Sequence, residues 1–296
     1  MKIASPRGSF PKTFQGILSW GIRELQILGP EEARASAEWL LTEVSGLERF
    51  ELILRADSHA PADLVKKFRA FIAGRKKRVP LAYLTGKACF WDEVLEVGPG
   101  CLIPRPETEI LVEKFLENSG FDRAGRFSFL DLGSGSGAVG IAILRSFSGA
   151  RAAFSDISEE ALEITRNNLS RYGLLERAEI IQSDLFGGFS SDIRWDAIFC
   201  NPPYLSEKDW EEVAPELLFE PRRALDGGED GLDFYRRIKN QAPRFLNPEG
   251  RLVLETGIRQ AQTVAAWLGE TRFFKNIQIF KDHAGIERVV MSQLLG

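Results

Sequence analysis

From about residue 127 the chain settles into seven short apolar runs spaced by amphipathic segments, and few folds accept that pattern. The runs fall at 127–132, 152–155, 179–182, 197–200, 252–255, 276–280 and 288–291. Helical periodicity separates most of them, as at 159–172 and 232–245. Strands that alternate with helices predict an α/β architecture, a parallel sheet wound by helices. The last two runs are joined only by residues 281–287, which predicts an antiparallel hairpin at one edge.

Before this region the texture is helical. Phe14, Ile17, Leu18, Ile22 and Leu25 recur at helical spacing, as do Ala37, Leu40, Leu41 and Val44, with Gly29-Pro30 and Ala60-Pro61 as breaks. A strand-like stretch at 88–97 and Gly98-Pro99-Gly100 follow. The expected organisation is a helical domain at 1–79, a linker or hairpin at 80–100 and a Rossmann-like domain at 101–296.

Composition narrows the class. With 44% hydrophobic and 27% charged residues the chain can bury full cores, and no apolar run reaches the ~18 residues that cross a bilayer. The start, MKIASPRGSF, holds no apolar stretch of signal-peptide length, so a cytoplasmic location is expected. Cys89, Cys101 and Cys200 form no CxxC pair, which indicates neither a disulfide framework nor a zinc site. The net charge of −4 argues mildly against a nucleic-acid substrate, whose phosphates call for a basic face. One local exception is the run Lys66, Lys67, Arg69, Arg75, Lys76, Lys77 and Arg78, either a solvated helix face or a docking patch.

The segment Asp131-Leu132-Gly133-Ser134-Gly135-Ser136-Gly137 ends the first run and opens a helix, where glycines let the backbone turn sharply and approach a ligand. Asp156 ends the next run, where a carboxylate can bind the two hydroxyls of a ribose. Gly135, Gly137 and Gly140 also satisfy GxGxxG with Asp156 about twenty residues on, the dinucleotide fingerprint. Pattern alone leaves NAD and S-adenosylmethionine both open. Asp131, two residues before the first glycine and expected at the mouth of the loop, tilts the choice: a pyrophosphate beside it would cost several kcal/mol at an effective dielectric of about 20, whereas an ammonium and a sulfonium tolerate an acid.

Asn201-Pro202-Pro203-Tyr204 follows the fourth run, at the carboxyl edge where such sheets bind ligands. An NH2 group conjugated to a carbonyl or ring is a poor nucleophile because its lone pair is delocalised. Two acceptors that grip its hydrogens orient it and favour the positive charge that builds on nitrogen. The Asn201 side-chain oxygen and the Pro202 carbonyl suit that role; Pro203 restricts Pro202, and Tyr204 offers a flat face. Asp184, in Ser183-Asp184-Leu185 after the third run, sits where an adenine would lie, or else caps a turn. Cys200 reads as core. Pro106, Glu107 and Glu109 suit a helix start, which leaves Arg105 without a role.

These motifs, with IPRPETE (103–109), DLGSGSG (131–137), NPPY (201–204), FEPRRALDGGEDGL (219–232), LETG (254–257) and KDHAGIERVV (281–290) in that order, resemble the release factor glutamine methyltransferases, the HemK or PrmC family. The resemblance runs from about Leu81 to the end. It implies a seven-stranded methyltransferase sheet and N5-methylation of the glutamine in the GGQ loop of class I peptide chain release factors. It also implies that residues 133–137, Asp156 and Leu185 bind S-adenosylmethionine, that residues 201–204 hold the glutamine, and that the N-terminal helices contact the release factor. Two positions depart from the family pattern: serines replace the usual threonines between the glycines, and Leu185 stands where an aromatic is common.

Four rivals remain at this level. An adenine-N6 methyltransferase of DNA or RNA would use the same two acceptors on a flipped base. The others are a glutamine methyltransferase of another protein such as a ribosomal protein, a nicotinamide dehydrogenase, and a cofactor-binding regulatory module.

Overall fold

The computed structural model describes residues 10–296; the start noted above, MKIASPRGSF, lies outside the described residues apart from Phe10. The chain divides into two compact units, Met1–Thr85 and Gly86–Gly296. No described helix is long and apolar enough to cross a membrane.

The first unit is helical: α1 (Phe14–Glu24), α2 (Pro30–Ser45), α3 (Arg49–Leu54), α4 (Ala62–Lys76) and α5 (Leu81–Thr85). Ile17, Leu25, Ala37, Leu40, Leu41 and Phe68 are wholly buried in one core, so the helical periodicity marks the inward faces. The unit extends six residues past the expected end at Val79, because α5 belongs to it. Leu81 and Leu84 pack on the helical core, and a Cβ at Gly74 would lie 2.5 Å from Leu84. The basic run divides as well. Arg75 is buried, pairs with Glu32 and donates to Val79 O at 3.2 Å, while Lys76 pairs with Glu24 at 2.8 Å. Lys66, Lys67 and Lys77 face solvent.

In the second unit β1 (Lys87–Phe90) and β2 (Glu93–Glu96) form an antiparallel hairpin whose Phe90 and Leu95 sit in the main core, so it is part of this unit. Then come α6 (Pro106–Asn118), β3 (Ser128–Leu132), α7 (Ala138–Ser146), β4 (Arg151–Asp156), α8 (Glu159–Arg171), β5 (Ala178–Gln182) and β6 (Trp195–Cys200). The chain closes with α9 (Asp233–Gln241), β7 (Leu246–Glu255), α10 (Ala261–Glu270), β8 (Phe274–Lys281) and β9 (Glu287–Leu294). The seven strands run in the order β5-β4-β3-β6-β7-β9-β8, with β3 to β7 parallel and β9 antiparallel between β7 and β8. Side-chain alternation divides the sheet faces. Phe129, Phe199 and Val253 join α6 and α7 in one core, whereas Leu130, Ile198, Cys200, Leu252 and Leu254 join α9 and α10 in the other.

Two departures have local causes. β7 starts at Leu246 rather than 252, because Leu246 pairs with Trp195 across an irregular register that carries the polar Asn247-Pro248-Glu249 within the strand. The segment 281–287 is a capped turn. Asp282 accepts from the Ala284 and Ile286 N–H groups at 2.9 Å each and from Arg288 at 3.1 Å, so most of KDHAGIERVV is hairpin chemistry.

Candidate active site

The carboxyl ends of β3, β4, β5 and β6 open on one cleft. Its described wall includes Gly133, Gly135, Asp156, Ser183, Asp184, Leu185, Cys200, Asn201, Pro202 and Pro203. The sequence motifs therefore converge in space. Asp131, Ser134, Ser136, Gly137 and Tyr204 are not part of that wall.

The glycine loop is tied down from within. Gly133 and Ser134 both donate to Ser155 O at 2.8 Å, Gly135 donates to an Asp156 carboxylate oxygen at 3.0 Å, and Gly137 donates to Ser134 O at 2.7 Å. Ser134 and Ser136 are buried, and Ser136 O accepts from Asn168 at 2.9 Å. A loop that cradles phosphate offers free N–H groups. Here four of them are used inside the protein.

Asp131 lies under the loop rather than at its mouth. Leu130 and Leu132 face one core, so Asp131 faces the other and accepts the Gly140 N–H of α7 at 2.8 Å. Burial pushes its carboxyl up to about 7, which leaves it about half protonated at neutral pH and weakens the charge assigned to it from sequence. Gly140 makes this approach possible: a Cβ there would lie 2.2 Å from the Phe154 ring and 2.8 Å from Asp131 Oδ2. Asp156 stands on the wall instead. Its two oxygens accept from Gly135 and from Ser158 N–H at 2.9 Å, leaving further lone pairs toward the cleft, and burial raises its pKa against those bonds.

At the β6 end, Asn201 Nδ2 donates to Thr108 Oγ1 at 3.1 Å, which leaves the side-chain oxygen as the free acceptor. Tyr204, expected to offer a flat face to the substrate, is not among the residues of the described wall. Its ring lies beside Gly257, where a Cβ would come within 3.0 Å, and its carbonyl accepts from Gln260 at 3.0 Å. Burial pushes the Tyr204 hydroxyl up to about 12 and the Cys101 thiol up to about 11, with Cys200 also raised; none of the three is an anionic nucleophile.

The cleft wall is mostly apolar, and Leu185 supplies part of it beyond the end of β5. Ser183 Oγ donates to Leu185 O at 2.6 Å and accepts from Gly188 N–H at 2.8 Å, holding Leu185 at φ 49° against the cleft. Ile157 and Phe234 join it. Asp184 pairs with Arg237 at 2.8 Å, so one of its oxygens is already engaged.

Several wall residues carried no assignment from sequence: Leu102, Ile157, Pro221, Arg223, Phe234 and Arg237. Arg105 finds its role here as the partner of buried Glu220, which also accepts the Ile103 N–H at 3.0 Å. That pair joins the 102–105 and 219–223 segments, both at the cleft. Arg223 donates to Ser158 Oγ at 2.9 Å and pairs with Glu160 at 3.1 Å across it. The sequence held PRPE and FEPRR as separate motifs, with no local periodicity to announce a contact 115 residues apart.

A winding sheet with a cleft at its carboxyl edge and a fixed Asn-Pro-Pro turn defines a methyltransferase domain, and residues 106–231 match the family described as Methyltransferase small domain. A crystal structure of a methyltransferase from Pyrococcus furiosus shares this fold with a TM-score of 0.50 at 18% identity, covering 67% of this chain and 87% of that one. Residues 16–86 match the PrmC N-terminal domain. The chain belongs to the release factor glutamine methyltransferase family. The family member from Geobacter sulfurreducens is 38% identical over 94% of this chain and 95% of its own length, and that from Rhodopirellula baltica 33% identical over 98% and 99%.

Proposed function

We propose that this chain methylates the side-chain amide nitrogen of the glutamine in the GGQ loop of class I peptide chain release factors, with S-adenosylmethionine as donor. The observation that carries the reading is the fixed Asn201 amide, with Nδ2 spent on Thr108 and its oxygen left for the cleft beside Pro202. When bound, S-adenosylmethionine supplies an electrophilic methyl group. The residues fit that molecule: Gly133 and Gly135 give a wall without Cβ atoms, Asp156 keeps acceptor lone pairs for ribose hydroxyls, and Leu185, Ile157 and Phe234 flank a slot for a flat ring.

Asn201 Oδ1 and the Pro202 carbonyl take the two hydrogens of the substrate amide. Gripping both draws electron density toward nitrogen and favours the positive charge that forms there. No histidine lines the described wall, and none is required, because an N-methylated amidium is acidic enough to lose its proton to water. Alignment and electrostatics then supply the rate.

The internal bonding of the glycine loop favours this donor over NAD, since Gly133, Ser134, Gly135 and Gly137 have no N–H left for a pyrophosphate. Docking of the release factor is assigned to the N-terminal unit, whose α3 exposes Phe50, Ile53 and Leu54. The test is label transfer. The purified chain with methyl-labelled S-adenosylmethionine should label class I release factors, and should leave duplex DNA, RNA and ribosomal proteins unlabelled; the reverse pattern overturns the assignment.

A further inference from the structure

The motifs DGGEDG (226–231) and LETG (254–257) supply none of the described cleft wall, yet both close on Tyr204. A Cβ at Gly227 would lie 2.8 Å from Tyr204 Cα, one at Gly231 2.3 Å from its carbonyl oxygen, and one at Gly257 3.0 Å from its ring. Glycine at all three lets the backbone of both motifs come up against the tyrosine. One side chain then joins the three segments. Gln260, the residue before α10, accepts the Gly257 N–H at 3.0 Å and donates to Tyr204 O at 3.0 Å and to Gly231 O at 3.2 Å. Its own N–H donates to Gly257 O at 3.2 Å, which closes a turn and folds the side chain back over it.

We propose that Gln260 is a positioning residue for the acceptor motif: by holding Tyr204 it sets the direction of the Pro202 carbonyl. The inference rests on the methyl-transfer reading above, in which that carbonyl takes one hydrogen of the substrate amide. Only Pro203 lies between Pro202 and Tyr204, and the joint is stiff. Each proline ring fixes φ at about −65°, and Pro203 confines Pro202 to extended ψ. A grip on Tyr204 therefore reaches the Pro202 carbonyl with little slack. Asn201, at the other end of the motif, is held separately by its bond to Thr108. The two acceptors are thus anchored from opposite ends.

The neighbours of Gln260 fix which way its amide points. They are one N–H and two carbonyls, and only one of the two amide orientations satisfies all three. Both hydrogens of the NH2 group are then spent, one on each motif. Closing the turn before α10 asks only for the side-chain oxygen. The two N–H bonds reach out of the turn, to the acceptor motif and to the loop packed on it. A carboxylate of the same shape would keep the Gly257 bond but meet Tyr204 O and Gly231 O with an oxygen and no hydrogen. Asparagine carries the same groups one methylene short.

The experiment compares Gln260→Glu, nearly identical in shape, with Gln260→Met, which loses the three side-chain bonds without adding charge. Single-turnover methylation of a release factor at saturating cofactor, cofactor affinity by calorimetry and the 13C NMR signal of the Tyr204 carbonyl are measured on each intact chain. The sequence has 4 tyrosines, so carbonyl-labelled tyrosine gives few signals, and that of Tyr204 is assigned by its loss in Tyr204→Phe. A misplacement of about 1 Å in such a site costs on the order of 10²-fold in rate. A loss of that order is expected in both variants, with cofactor affinity unchanged and the Tyr204 carbonyl signal displaced. Should Gln260→Glu fail to fold, Gln260→Met carries the same readings. Wild-type turnover with a lowered denaturant midpoint marks a merely structural residue and overturns the proposal, as does a fall in cofactor affinity that matches the fall in rate. An unmoved Tyr204 signal overturns it too, and that result is readable even if the wild type labels no release factor, which would sink the functional reading instead.

Discussion

Two carboxyls and one amide carry most of the argument at the scale of single residues. Asn201→Ala removes the acceptor and nothing from the cofactor slot. Turnover should fall by on the order of 10²-fold or more with cofactor affinity nearly intact; retention of more than about a tenth of the rate contradicts the role. Asp156→Ala should do the opposite and weaken cofactor binding in a titration. Asp131 makes a separate prediction about pH. Its carboxyl moves from 3.8 to about 7 on folding, so the native state holds a proton that the unfolded chain has released. Stability from this group is complete below pH 3.8 and drains away as pH rises toward 7, at up to about 1.4 kcal/mol per unit. Asp131→Asn keeps an acceptor for Gly140 N–H and should lack that slope; denaturant melts across the window check it. Asp131 also shows what sequence reading leaves out. The motif placed it by its neighbours in the chain, at the mouth of the loop, but strand parity turned it under α7. Thr108 was hidden for a different reason. It looks like an ordinary helix residue until the fold sets α6 against the end of β6 and Asn201 donates to it.

Among the elements, the strands were the most legible because a parallel sheet buried on both faces writes itself as apolar runs. All seven appear within a few residues of expectation, and β7 departs most, since its first half is held by pairing with β6 rather than by apolar character. The loops were legible as motifs but not as contacts. PRPE and FEPRR announce nothing of each other until Arg105 meets Glu220. Glu220 is 2% exposed at its side chain, so Arg105→Met leaves a buried carboxylate without its cation and should destabilise the protein by about 3 kcal/mol while weakening cofactor binding. Adding Glu220→Gln should restore part of the loss, because the stranded charge is then gone. Equal destabilisation in the single and double variants, read from denaturant midpoints, would deny the pair its role at the cleft. The DGGEDG loop is held by a tighter constraint. Gly231 has φ 75°, and a Cβ there would lie 2.3 Å from the Tyr204 carbonyl, so the loop packs directly on the acceptor motif's backbone.

At the scale of the molecule, each unit has its own apolar core. The fragment 86–296 should therefore fold and bind S-adenosylmethionine with affinity close to that of the full chain. If the N-terminal unit docks the release factor, the fragment loses kcat/KM toward that protein while keeping the cofactor; calorimetry and steady-state kinetics separate the two effects. The central claim is that the methyl lands on an amide nitrogen gripped by Asn201 and Pro202. Tandem mass spectrometry of the GGQ peptide from a release factor treated with the chain and labelled cofactor tests it most directly. The account predicts one labelled methyl on the glutamine side-chain nitrogen, absent with Asn201→Ala. A methyl on any other atom of that peptide, or an unmodified peptide while a nucleic-acid adenine carries the label, would contradict it.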